Sequence, residues 1–312
     1  MSSVAAIDIG SNSVRLLVVG SAGAELCREM AITRLAEGVD RSGRLAPEAM
    51  ARTLEVLAQY AALMRQHAVS RVRVTGTSAA RDASNREEFF ERVERCVGSR
   101  PELLTGNAEA RLAFAGATAD QPATAAPLLT LDIGGGSTEF AIGGGALGAD
   151  APVLHDALDS ISLNMGCVRV TERFLHSDPP AAPELDAAAV FVRAELQRAD
   201  AEVPCRRART WLGLAGTVTS LAARDAGLER YDPSVTHGYR LSRASVEAIH
   251  TELAARPVAD RAALLLEPKR AGVIVGGSII LREVMRHFDL AHITVSERDI
   301  LDGLAASIRA PG

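Results

Sequence analysis

Residues 7–20 read IDIGSNSVRLLVVG, and residues 131–144 read LDIGGGSTEFAIGG. Each is an apolar strand ending in an aspartate, then a turn of small residues, then a second apolar strand. Aligned, Asp8 falls on Asp132, Gly10 on Gly134 and Ser13 on Ser137. Such a repeat predicts two related domains, each with a hairpin loop that can cradle phosphate beside an acidic side chain. Two such loops facing each other would make a site for polyphosphate and metal.

Within the first turn, Gly10 permits close backbone approach, while Ser11, Asn12 and Ser13 add short donors and Arg15 adds a charge on the outgoing strand. The same residue types also form plain hairpin turns, so this turn alone leaves both readings open. The second turn carries Gly134, Gly135 and Gly136 in succession, followed by Ser137 and Thr138. Three glycines between strands weaken pairing, which is useful where a phosphate must touch the main chain, with a plain turn as the other reading. Asp132 and Glu139 flank that turn and are suited to Mg²⁺, which favours carboxylate and phosphate oxygens.

Outward from the hairpins, 24–33 extends the first one, 47–67 has the apolar stripe of a helix, and 71–75 alternates as a strand. Helices are expected over 85–97, with Asn85 as N-cap, and from Gly106 to about residue 117; residues 103–104 fit a short strand. The Pro/Ala/Thr-rich stretch 118–127 is the expected domain boundary. Beyond the second hairpin, helices are expected at 162–176, 184–201, 216–225, 242–255, 277–288 and 297–309, with strands at 209–214 and 291–295. The expected domains are 1–122, joined by the terminal segment 297–312, and 123–296.

Three shorter stretches add chemistry. Residues 105–111 (TGNAEAR) place Glu109 in the first turn of a helix, where a carboxylate either favours the helix dipole or activates water. Residues 75–81 (TGTSAAR) offer Thr77 and Arg81 to an anion. Residues 214–219 (LAGTVT) offer Gly216 and Thr217 at a helix start. Residues 275–278 (VGGS) precede an apolar helix and fit close helix packing equally well; His237 reads as structural.

Composition excludes several classes. The net charge of −5 argues against a broad nucleic-acid surface. Of 34 basic residues Lys269 is the single lysine, a bias that fits GC-rich coding better than function. Four cysteines without CxxC spacing argue against zinc and disulfides. No apolar run is long enough for a membrane span, and no basic region precedes the first strand, so the expected location is cytoplasmic.

In this order, IDIGSNSVRLL, VTGTSAARDASN, TGNAEARLAF, LDIGGGSTEF, SLNMGCVRVTERF, LAGTVTSLAA, THGYRL, VIVGGSIIL and SERDILDGL resemble the exopolyphosphatase and guanosine pentaphosphate phosphatase family nearly end to end. The resemblance implies an α/β fold of two RNase H-like domains of the actin-like ATPase (sugar kinase, Hsp70, actin) superfamily with a cleft between them. It implies Mg²⁺- or Mn²⁺-dependent hydrolysis of a terminal phosphoanhydride, in inorganic polyphosphate or guanosine pentaphosphate. By motif, Asp8, Asp132 and Glu139 would hold metal. Gly10 to Ser13, Gly134 to Thr138 and Arg81 would bind phosphate, and Glu109 would activate water. Family members often dimerise. The chain resembles the short form without a helical C-terminal domain, which favours short polyphosphate chains. It departs from the family pattern at Ala108, Ala215 and Gly272. A kinase on the same scaffold and a non-cleaving alarmone sensor are the rivals; the intact acidic set argues against both.

Overall fold

The computed structural model describes residues 3–144 and 158–309. Residues 1–2 and 310–312 of the expected domain limits lie outside them. The first sheet is built from β1 (Ser3–Ile9), β2 (Ser13–Val19), β3 (Glu25–Ile32), β4 (Val69–Gly76) and β5 (Glu102–Leu103), in the order β3-β2-β1-β4-β5. The second contains β6 (Leu128–Ile133), β7 (Thr138–Gly143), β8 (Asp159–Leu163), β9 (Thr210–Leu214), β10 (Arg240–Ser242) and β11 (His292–Val295), in the order β10-β11-β9-β6-β7-β8. In each, an antiparallel meander of three strands is continued by parallel strands on the other side of the first strand. The repeat in the sequence is therefore a repeat of topology, and the fold is α/β with two RNase H-like units. The three-residue β10 is an addition at one edge.

The helices are α1 (Val39–Ser42), α2 (Pro47–Gln66), α3 (Ser78–Asp82), α4 (Arg86–Val97), α5 (Gly106–Thr118), α6 (Cys167–Phe174), α7 (Ala182–Glu202), α8 (Ala215–Asp225), α9 (Pro233–Thr236), α10 (Arg243–Ala254), α11 (Val258–Ala262), α12 (Ile274–His287) and α13 (Ile300–Arg309). The central strands β1 and β6 read as continuous apolar runs because both of their faces are covered. Ala5, Ile7 and Ile9 of β1 point into one core, with Leu57 and Phe89 of the α2 and α4 helices. Val4 and Ala6, on the opposite face, enter a core shared with Leu128, Ala141 and Leu212 of the second sheet.

That shared core is filled by α5 and α13. Leu112 and Phe114 of α5 meet Ile300 and Leu304 of α13 between the sheets. The two helices cross at glycines. A Cβ on Gly116 would lie 1.9 Å from the Asp299 carbonyl oxygen, and one on Gly303 would lie 2.1 Å from that of Leu112. Only glycine allows this approach. The terminal helix packs on the first sheet, while α5 also lies against β6, β7 and β8.

Several expectations need correction. Asn85 does stand at the N-cap of α4, but its side chain makes no cap bond; it accepts from the Leu45 N–H at 2.9 Å and donates to the Leu45 carbonyl at 3.0 Å, tying two loops together. Residues 162–163, expected as helix, end strand β8, because register with β7 overrides the local pattern. Helix α12 begins at Ile274, so Gly276 and Gly277 lie inside it; a Cβ on either would come within 2.4 Å of the Thr171 or Thr217 hydroxyl. Close helix packing is the role of that motif.

Candidate active site

Hairpin register places Asp8 opposite Arg15 and Asp132 opposite Glu139. Both turns close with the same bond: the Gly10 N–H donates to the Ser13 carbonyl, and the Gly134 N–H to that of Ser137, each at 3.0 Å. The loops meet, since a Cβ on Gly135 would fall 2.9 Å from the Asn12 nitrogen and one on Gly136 would fall 2.8 Å from the Ser11 hydroxyl. Behind the first loop, the Ala36 N–H donates to the Ser11 carbonyl (2.9 Å), and those of Thr33 and Arg34 donate to the Asn12 carbonyl (3.1 and 2.9 Å). The Ser11 hydroxyl and both polar atoms of the Asn12 side chain are buried without a partner. Buried polar atoms are costly when unpaired, so this loop is built for something that supplies partners.

Helix α5 aims Glu109 at the same place. Thr105 caps it, its hydroxyl accepting the Ala108 N–H at 3.2 Å, and fixes the first turn. Gly106 abuts Ser162 of β8, where a Cβ would clash at 2.3 Å. Arg81 donates to Glu109 Oε2 at 2.7 Å and to the Leu104 carbonyl at 3.1 Å, while its other terminal nitrogen reaches the Ser137 hydroxyl at 3.3 Å. Arg81 is thus ion-paired with the candidate water-activating residue and touches the second loop.

Electrostatically, burial dominates. It pushes the Glu109 carboxyl up to about 7 against the pull of Arg81. Asp132 is likewise pushed up to about 7, by burial and by Asp299, Glu109 and Asp8, against Arg15. Glu139 is held well above the carboxylate range by burial and by Glu109 and Asp132. Asp8 is raised by burial although Arg15 donates to it at 2.7 Å. Carboxylates crowded in this way are what functional sites contain.

Among the described residues, no group of three or more His, Cys, Asp and Glu is arranged to hold a metal ion. Mg²⁺ needs no such cage, since it is bound by one or two carboxylates plus substrate phosphates and water. Glu139 Oε1 accepts from the Ser162 hydroxyl at 2.7 Å, and Oε2 is a buried carboxylate oxygen with no partner. With Asp132 opposite, the donors are hard oxygens suited to that ion.

A cleft of about 610 Å³ runs between the loops, and Asp8, Glu109, Asp132, Gly216 and Thr217 line it together with both turns. Thr138 is committed elsewhere, its hydroxyl donating to the Met165 carbonyl at 2.5 Å. His237 accepts from the Glu297 N–H at 3.2 Å and pairs with Asp120 at 3.1 Å, a structural role. Three features escaped the sequence reading. Asp299 lines the cleft and pairs with Arg15; its signal was an aspartate at the start of the last helix. Arg270 lies against Gly216, where a Cβ would fall 2.0 Å from its guanidinium carbon. The far end of the cleft is apolar, lined by Leu228, Tyr231, Leu264 and Leu265.

A sequence model of the Ppx/GppA phosphatase family matches residues 18–309. The chain belongs to that family. It is 43% identical to "Exopolyphosphatase 2" of Mycobacterium tuberculosis over 98% of both chains. A crystal structure of an exopolyphosphatase-like protein superposes with a TM-score of 0.91 at 35% identity, covering 98% of each chain. The Aquifex aeolicus member of the family superposes with a TM-score of 0.78 at 32% identity, covering 98% of this chain and 97% of that one. Among the described residues no helix is long and apolar enough to cross a membrane.

Proposed function

We propose that this chain is an exopolyphosphatase that hydrolyses the terminal phosphoanhydride of inorganic polyphosphate, preferring short chains, by direct attack of water. The observation that carries this reading is Glu109, a carboxylate 14% exposed, held by Arg81 beside two phosphate-type loops that face each other across one cleft. The two bodies that form the cleft are 1–122 with 297–312, and 123–296. The cytoplasmic location rests on the sequence, and the homodimer on the dimers that family members often form.

In this mechanism the loops at 10–13 and 134–137 bind the terminal phosphoryl group through backbone N–H groups and hydroxyls, the positioning and charge stabilisation on which phosphoryl transfer depends. Arg81 transfers part of its bonding from Glu109 to phosphate as substrate arrives. Glu109 then orients the attacking water and takes its proton, a task suited to a carboxyl raised towards neutrality. Asp132 and Glu139, with Asp8 beside Arg15, would hold Mg²⁺, which when bound neutralises charge on the phosphate oxygens. Gly216, Thr217 and Arg270 line the path of the remaining chain.

Phosphate release with Mg²⁺ from short polyphosphate, long polyphosphate and guanosine pentaphosphate, measured side by side, tests this. Glu109→Gln is expected to bind substrate as before and to lose turnover by about 1,000-fold. Unchanged turnover in that variant removes Glu109 from the role. Release from guanosine pentaphosphate alone makes the nucleotide the substrate. Binding of all three without release makes the protein a sensor.

A further inference from the structure

Residues 162–174 (SLNMGCVRVTERF) hold the glycine loop of the second half. A Cβ on Gly166 would lie 2.2 Å from the Gly135 carbonyl, so the two backbones are in contact. The Cys167 N–H donates to the Gly134 carbonyl at 2.9 Å, and the Val168 and Arg169 N–H groups donate to that of Gly135 at 2.8 and 3.2 Å. The Gly136 carbonyl is taken by a side chain, Arg169 Nε, at 2.8 Å. Across a trans peptide the carbonyl and the following N–H point in opposite directions. Pinning three successive carbonyls therefore turns the N–H groups of Gly135, Gly136 and Ser137 away from α6, as a nest for anionic oxygen.

The first loop shows what is special here. There the Asn12 carbonyl is held by the backbone N–H groups of Thr33 and Arg34. At the equivalent Gly136 the donor is a guanidinium, and its remaining nitrogens bind Asp40 and Asp82. Both aspartates lie on the first-sheet side, in α1 and α3. Arg173 reinforces the contact with bonds of 2.5 and 2.7 Å to Asp40, and Glu172 accepts the Gly38 N–H at 3.1 Å. The Arg169 side chain is 10% exposed, so water competes little for these bonds.

We propose that Arg169 is a positioning residue for phosphoanhydride hydrolysis, aiming the Ser137 N–H at substrate only while the two halves are in contact through Asp40 and Asp82. The inference rests on the reading of the cleft as a hydrolase site. Arginine suits the task because its planar fork reaches three separated acceptors from three nitrogens, whereas the donors of lysine all radiate from one.

The test uses the full chain with polyphosphate and Mg²⁺. Arg169→Lys is expected to lower kcat about 30-fold, since a misaimed donor loses transition-state stabilisation, and to raise KM about tenfold, since the bonds to Asp40 and Asp82 are lost with the fork, with the melting temperature within about 3 °C. The double variant Asp40→Asn, Asp82→Asn keeps the Nε bond to Gly136; it is expected to lower kcat about threefold while raising KM about tenfold, because closure is weakened. A lowered melting temperature with kcat intact in Arg169→Lys would mean that the residue only braces the fold. If Arg169→Lys fails to fold, an unchanged KM in the double variant overturns the proposal by itself. Wild-type protein that releases no phosphate overturns the functional reading and this inference together; active wild type with an unaffected Arg169→Lys overturns the inference alone.

Discussion

Opposite Asp8 the first hairpin carries Arg15; opposite Asp132, at the same register position, the second carries Glu139. The backbones match down to the turn hydrogen bond, yet the charges are inverted. In the first half the aspartate is neutralised by a guanidinium that also binds Asp299. In the second half two carboxylates face each other, both pushed up in pKa by burial and by their acidic neighbours. A duplicated scaffold thus has one side whose aspartate is paired within the protein and one left acidic, the side on which the proposed Mg²⁺ site chiefly rests. Glu109, the proposed water-activating residue, comes from the first half, on the helix that touches both sheets.

Among changes that separate the two hairpins, the largest loss of activity is expected from removing the acidic side. Glu139→Gln keeps the shape and the contact with Ser162 but withdraws one anionic oxygen. Phosphate release at a fixed low Mg²⁺ concentration should fall about 100-fold and recover partly as Mg²⁺ is raised. A variant with unaltered activity and Mg²⁺ dependence would show that Glu139 only braces β8, and the two hairpins would then differ in charge without differing in task.

The converse change attacks the neutralised side. Arg15→Met leaves the carboxylates of Asp8 and Asp299 buried without their shared cation, which should cost about 3 kcal/mol in urea unfolding at neutral pH. The sign of its pH dependence follows from Asp8, whose carboxyl burial already raises above the unfolded value. Without Arg15 it rises further, so the folded variant binds a proton more readily than the unfolded chain. Stability of the variant should therefore increase as pH falls from neutral, and the deficit against wild type should shrink. A deficit that is constant or grows on acidification would mean that Arg15 acts through packing.

The repeat, both hairpins and most helices were legible because they rest on local signals: apolar periodicity, glycine turns and the alignment of Asp8 with Asp132. What was not legible depends on distant partners. Asp299 joins the cleft only because the α5 and α13 helices cross at Gly116 and Gly303 and bring the last helix between the sheets. Arg270 reads as one basic residue among many until Gly216 is seen beneath it. Arg81 reads in sequence as a phosphate ligand, and its bond to Glu109 comes from the meeting of the α3 and α5 helices. Residues 162–163 read in sequence as the start of the helix that in fact begins at Cys167, and they are strand through pairing with β7.

One departure from the family pattern acquires a physical meaning, and it yields the smallest predicted effect. After β4 the chain continues through Thr77 with φ of −114°, outside the left-handed region. After β9, the corresponding strand of the second half, it continues through Ala215 with φ of 65°. That left-handed conformation strains an alanine by about 1 kcal/mol, and glycine adopts it freely. Ala215→Gly relieves the strain but gives the unfolded chain more freedom, which offsets about half of the gain. The net expectation is a stabilisation of about 0.5 kcal/mol, read as a rise in the urea midpoint at unchanged slope, with phosphate release unaltered because the Gly216 and Thr217 backbone keeps its course. A lowered midpoint would mean that the Ala215 side chain contributes packing that outweighs the strain, and the two strand ends would then differ in packing and not in backbone tolerance.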